Sequence, residues 1–373
     1  MTIRLTAANL LLLVLLLPIA RSRNLYLQGQ SASPQQSEQG SQVTVPSRPA
    51  NPPYKGLQGT QRSEIEFTPS SRTVTIKLHV EDPSGYFLPN IRRENFAVYE
   101  DGVRQKNVDV EVEHSPVSVA LLMEFGGRYH ELNQVLGLEV ARIGHWLLDV
   151  ADRDDKIAVL KYDAKLDTVV DFNQGRQDVE NVFEQLSTPV VSESNFYDAL
   201  LETFHRMQNV RGRKAIIVIS TGIDTFSKAD YQQVLQAAQD SATPVYTIGL
   251  ARLMQRESEV YGPTAPISRI DWNGAEAHLE MLARASGGRA YVLDSDTEIP
   301  AIYDDIMENL RLRYVVTYVS SNTATSGPPR KIRVELIDPR TGEALKIRDS
   351  NGKLVGAKVF VQESYSPMGA PGG

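Results

Sequence analysis

Between Ser118 and Leu310, short continuous apolar runs alternate with stretches of helical period, and that rhythm restricts the possible folds more than any other feature. Val119-Ala120-Leu121-Leu122-Met123 offers no polar position to water, as expected of a strand covered on both faces in a parallel sheet. Leu132, Val135, Leu136, Ile143, Leu147 and Val150 follow at close to 3.6 spacing, the apolar face of a helix. Strands at 157–160, 215–219, 244–248 and 290–293 then alternate with helices at 178–186, 197–207, 229–238, 275–285 and 300–310. Helices of this length between strands predict βαβ units, hence an α/β fold with a doubly wound, mostly parallel sheet.

The flanks have period 2 instead. Val74, Ile76, Leu78 and Val80 alternate with polar residues until Asp82-Pro83-Ser84-Gly85 stops the strand. Phe96-Ala97-Val98-Tyr99 leads into Glu100-Asp101-Gly102, a hairpin signal, with Val108, Val110 and Val112 expected on the return strand. Strands are also expected at 313–320, 331–337, 344–348 and 353–361, the last two joined by Asp349-Ser350-Asn351-Gly352. The two flanks, 63–115 and 313–365, are expected to pair into one small β-domain from which an α/β unit at 116–312 protrudes.

Residues 5–20 form the one long apolar run, preceded by Arg4. At ~1.5 Å per residue they fall short of a ~30 Å hydrocarbon core, so the pattern is that of an export signal, with cleavage expected after Ser22. An uncleaved anchor is the alternative. Either way the folded part is expected outside the cytoplasm, periplasmic or secreted. Residues 23–62 are rich in Gln, Ser and Pro, the composition of a disordered spacer, and a disordered tail is expected at 366–373.

The chain has 373 residues and no cysteine, which excludes disulfides, thiolate metal sites and cysteine nucleophiles. A formal net charge of −7 without a Lys/Arg block argues against nucleic acid. Enzymatic signatures are also missing. His130-Glu131 does not extend to a zinc-protease helix because position 134 is Gln, and neither a GxSxG elbow nor a GxxxxGK loop occurs. The run Asp152-Arg153-Asp154-Asp155 reads as a solvated turn.

Open α/β sheets bind ligands beyond the carboxyl ends of their strands. The residues to inspect there are Glu124 to Arg128, Ser194 to Asp198 and Ser220 to Asp224. The element order, with SVALLMEFGGR, SNFYDAL, RKAIIVISTGIDT, TPVYTIGL and ASGGRAYVL, resembles a von Willebrand factor type A domain. LPNIRRENFAVYEDGVRQKNVDV resembles the β-segment ahead of such domains in a bacterial group of exported proteins. The resemblance implies a divalent cation held by an Asp-x-Ser-x-Ser loop, a Thr and a later Asp. Those positions fall on Glu124, Gly126, Arg128, Ser194 and Thr221. A hard cation wants near-octahedral oxygen ligands, and glycine offers none. Arg128 places a fixed cation where the ion would sit, a repulsion of about 4 kcal/mol at ~4 Å per unit charge of the metal and an effective dielectric of ~20.

The expected function is therefore exported, non-catalytic protein–protein recognition, with no cofactor, a vestigial metal site, and no membrane contact beyond an uncleaved signal. Arg128 is expected to pair with Glu124 or Asp198, or else to face solvent with Glu124. Phe125, Arg128, Tyr129, Phe196, Asp198, Asp224 and Phe226 are the candidate partner-binding residues. Two alternatives are a metal-dependent adhesin, with Mg²⁺ or a loosely caged Ca²⁺ at Asp198 and Asp224, and a hydrolase in the long 251–273 connection. That connection is otherwise expected to be a mobile, partner-contacting flap.

Overall fold

The computed structural model describes residues 63–367 apart from 84, 128–129, 187–189, 263–265 and 349–352. The export segment, the spacer, Arg128, Tyr129, the turn at 349–352 and most of the tail lie outside the described residues. Among the described residues, no helix is long and apolar enough to cross a membrane.

In chain order the main elements begin with β1 (Glu64–Thr68), β2 (Thr73–Glu81), β3 (Phe96–Glu100) and β4 (Asp109–His114). Then come β5 (Val117–Glu124), α1 (His130–Val150), β6 (Lys156–Tyr162), β7 (Leu166–Val170), α2 (Arg176–Gln185) and α3 (Phe196–Gln208). They continue through β8 (Arg213–Ser220), α4 (Tyr231–Asp240), β9 (Val245–Gly249), α5 (Ala251–Glu259), α6 (Trp272–Ser286), β10 (Ala290–Val292) and α7 (Ile299–Arg311). The chain closes with β11 (Leu312–Val319), β12 (Arg330–Leu336) and β13 (Lys358–Phe360).

The six-stranded sheet runs β10-β9-β8-β5-β6-β7. Its strands are parallel except β7, which returns antiparallel beside β6. Burial on both faces explains the unbroken apolar run of β5. Val119, Leu121 and Met123 pack with α1 and α7, and Ala120 and Leu122 pack with α3 and α4. The fold class expected from the rhythm is the one observed.

The flanking strands pair as expected. β11 lies between β2 and β4, and β13 adds to β2. β12 lies antiparallel to β3. One apolar cluster, with Val74, Ile76, Phe87, Tyr314 and Val316 at its centre, joins the N- and C-terminal flanks. The hairpin at Asp101-Gly102 is real, both residues having positive φ (49° and 80°), which a two-residue type I′ turn requires. Its return strand is Val103–Arg104 only. The expectation for 108–112 is corrected, because β4 leaves that hairpin to pair with β11.

The α/β unit leaves the β-domain after His114 and rejoins it at Leu312, and these two residues are register partners. Asp155 fastens this junction. Its side chain is fully buried, accepts from the Val117 amide at 2.9 Å and from the Asp152 amide at 2.8 Å, and pairs with Arg311. The solvated-turn reading therefore holds for Asp152, Arg153 and Asp154, which are exposed, and fails for Asp155. The 251–273 connection is also corrected: it folds as α5 and a 3-10 turn at Pro266–Arg269. Ala251 and Met254 of α5 sit in the core, so this stretch of the connection is not a mobile flap.

Candidate functional site

β5 ends on Glu124, and the pleat turns that side chain into the sheet edge rather than outward. Only 2% of Glu124 is exposed. One carboxylate oxygen accepts from Ser194 Oγ and Thr221 Oγ1, both at 3.1 Å. The other accepts from Ser220 Oγ at 3.0 Å, the Thr221 amide at 2.6 Å and Thr221 Oγ1 at 2.9 Å. Tyr162 Oη bonds Ser220 Oγ at 2.8 Å and closes the group from the β6 side. Burial pushes the Glu124 carboxyl above its ordinary range, against the lowering effect of these hydrogen bonds. Burial and the neighbouring Glu124 likewise push the Tyr162 phenol well up.

Glycine is required at two places around this carboxyl. A Cβ at Gly222, which has φ +79°, would lie 2.6 Å from the Ala275 carbonyl oxygen. A Cβ at Gly126 would lie 2.6 Å from Asp163 Cβ and 2.9 Å from the Glu193 carbonyl oxygen. Residue 126 can therefore carry no hydroxyl without moving the loop.

Asp198 and Asp224 staple loops. Asp224 accepts from the Tyr197 amide at 3.0 Å in the first turn of α3, and from both the amide and hydroxyl of Ser227. Asp198 accepts from the Lys228 amide at 3.0 Å and the Ala229 amide at 2.9 Å. The Ser194 amide donates to Thr225 Oγ1 at 2.7 Å and the Thr225 amide to the Ser194 carbonyl at 2.9 Å, locking these two loops together.

The aromatic candidates separate. Phe226 is 72% exposed, whereas Phe125 (5%) and Phe196 (1%) are core residues. The expectation that Phe125 and Phe196 present rings to a partner is corrected: each packs inside an apolar cluster on one side of the sheet. The expected pairing of Arg128 with Glu124 or Asp198 lies outside the described residues; among those described, Glu124 takes its donors from Ser194, Ser220 and Thr221. Val191, on the loop leading to Ser194, is 56% exposed and was not anticipated. Val190 and Val191 form a two-residue strand beside Gly126-Gly127, too short to be read from the sequence. Tyr162 was missed as well, whereas Ser220 was marked only as the first residue of a sheet-edge loop, without a role.

Beside the carboxyl lies a cavity of about 230 Å³. Ser194, Thr221, Asp224 and Thr225 line it from the sheet-edge loops, and Leu136, Met254, Ile270 and Trp272 from the opposite side.

Residues 145–305 match the family model of the von Willebrand factor type A domain. This part of the chain is a von Willebrand factor type A domain. The family is one of protein-interaction modules. The match begins within α1, so Glu124 and Gly126 lie ahead of it. No curated protein matches the chain.

Similar solved structures include an aerotolerance-related membrane protein from Bacteroides fragilis, 19% identical over 51% of this chain and 98% of that one, with TM-score 0.38. BatB from Bacteroides thetaiotaomicron is 16% identical over 52% of this chain and 98% of that one, with TM-score 0.39. Proximal thread matrix protein 1 from the mussel byssus is 10% identical over 56% of this chain and 49% of that one, with TM-score 0.39.

The type A family implies a divalent cation at this edge, and the residues present do not fit one. Both oxygens of Glu124 are taken by protein donors, as are both of Asp224. The hydroxyls of Ser194 and Thr221 are thus left without an uncommitted carboxylate beside them, too little negative charge for a hard dication. Among the described residues no group of three His, Cys, Asp or Glu is placed to hold a metal.

Proposed function

We propose that this is an exported, non-catalytic recognition module that binds a protein partner through the sheet-edge loops of its type A domain, without a metal ion. The observation that carries the reading is the saturation of Glu124: the hydroxyls of Ser194 and Thr221 serve a buried carboxyl of the same chain. The surface left for a partner is the adjoining cavity, with the exposed Phe226 next in the chain to its lining residue Thr225 and the exposed Val191 paired with its lining residue Gly127. An exposed aromatic on loops cross-linked by hydrogen bonds is a pre-organised anchor of the kind that dominates interfaces. Export rests on the apolar run at 5–20.

Photocrosslinking tests the reading. Phe226→p-benzoylphenylalanine in the native envelope is expected to capture one partner reproducibly, while the same label at Val319, exposed on the β-domain, does not. Equal yields from both positions would move the interface elsewhere. Calorimetry with Mg²⁺, Mn²⁺ and Ca²⁺ addresses the metal-dependent alternative: binding tighter than about 10 μM would refute the metal-free reading.

A further inference from the structure

We propose that the cavity beside Glu124 receives a lysine side chain presented by the partner. The proposal rests on the sheet-edge reading above and names the chemistry of what docks there.

The cavity has two unlike walls. Leu136, Met254, Ile270 and Trp272 form an apolar side contributed by α1, α5, the chain ahead of α6, and α6 itself. The sheet-edge loops form the other, which adds the apolar Ile223 to its oxygen acceptors, and Asn133 of α1 also lines the cavity. Ser194 Oγ and Thr221 Oγ1 commit their protons to Glu124, so their lone pairs are what remains for a ligand. Two carboxyl groups, Glu124 and Asp224, lie on this wall, and neither forms an ion pair with any described residue.

A four-carbon stem ending in a compact ammonium with three donors matches both walls at once. A hydrated dication needs anionic ligands, which are occupied here, and gains nothing from an apolar wall. A carboxylate ligand would face the carboxyls. A volume of about 230 Å³ is below the range of ordinary small-molecule pockets, ~300–1,000 Å³, and suits one side chain. Trp272 supplies an independent sign of an occupant. It is 6% exposed and lies between this cavity and a second one beyond Ile270, and its indole N–H has no hydrogen-bond partner among the described residues. A peptide carries the missing acceptor, a main-chain carbonyl, next to its lysine.

The test titrates the exported chain with three capped tripeptides: acetyl-Gly-Lys-Gly-amide, its norleucine analogue and its glutamate analogue. The chain has two tryptophans, so a Trp146→Phe background makes Trp272 fluorescence the local readout, with calorimetry as the second measurement. The lysine peptide is expected to bind at least tenfold more tightly than norleucine and to shift the Trp272 emission, with glutamate inert. Leu136→Trp and, independently, Met254→Trp are expected to fill the cavity and abolish binding.

Equal affinity for lysine and norleucine peptides overturns the proposal. So does lysine binding that survives both filling variants, or competition by magnesium chloride at matched ionic strength. If the tripeptides fail while crosslinking from position 226 still captures its partner, only the lysine assignment falls. If both fail, the sheet-edge reading falls with it.

Discussion

At the scale of single residues, the Glu124 carboxyl decides the chemistry of the site. Replacing it by alanine strands the Thr221 amide and three hydroxyls in a buried space, and is expected to cost about 3 kcal/mol in chemical denaturation. Glutamine keeps an acceptor for the Thr221 amide, and its NH₂ group can donate to hydroxyls that are free to rotate, so Glu124→Gln should stay within a few degrees of the parent in Tm. The pair also differs in pH dependence. A buried acid whose folded pKa is raised holds its proton more tightly than the unfolded chain does. The stability it contributes is present at the acid end and is lost as pH rises above its ordinary value of 4.5. The Tm of the parent minus that of Glu124→Gln is therefore expected to fall as pH rises above 4.5, and a flat difference would contradict the burial argument. Gly126→Ser, which restores a hydroxyl at the family's loop position, should destabilise by about 1–3 kcal/mol because its Cβ meets Asp163 and the Glu193 carbonyl.

At the scale of elements, α5 shows where the sequence was legible and where it was not. Strands such as β5 and β8 announce themselves by unbroken apolar runs, since both faces are covered. In α5 only Ala251, Met254 and Ser258 are buried, one small, one flexible and one polar residue, so the chain there reads as a connection. Met254→Ala is expected to cost roughly 2–5 kcal/mol by equilibrium unfolding, a loss no mobile flap would show. The site divided along the same line. The positions 124, 126, 194 and 221 came from the resemblance to the type A family, and the departure of their residue types from a metal cradle was visible in the sequence. The direction of the Glu124 side chain and the burial of Phe125 and Phe196 follow from the pleat and from the helices packed on either face, which a linear reading does not contain.

At the scale of the whole molecule, Arg311 and Asp155 hold together the two ends of the type A domain, at the point where it leaves and rejoins the β-domain. Their pairing is buried and the carboxylate also holds two amides. Removing one member of such a group leaves a charge without compensation, so Asp155→Ala should cost about 3–5 kcal/mol. Calorimetry on that variant is expected to show a lowered transition, and an unchanged Tm would mean the clasp is ornamental. His114 and Leu312 stand opposite each other on adjacent antiparallel strands, so everything between them is, geometrically, the loop of a hairpin. The β-framework would close over the gap with a two-residue Asn-Gly turn, and the type A domain is thus a detachable cassette whose replacement leaves the frame's own ladder unbroken.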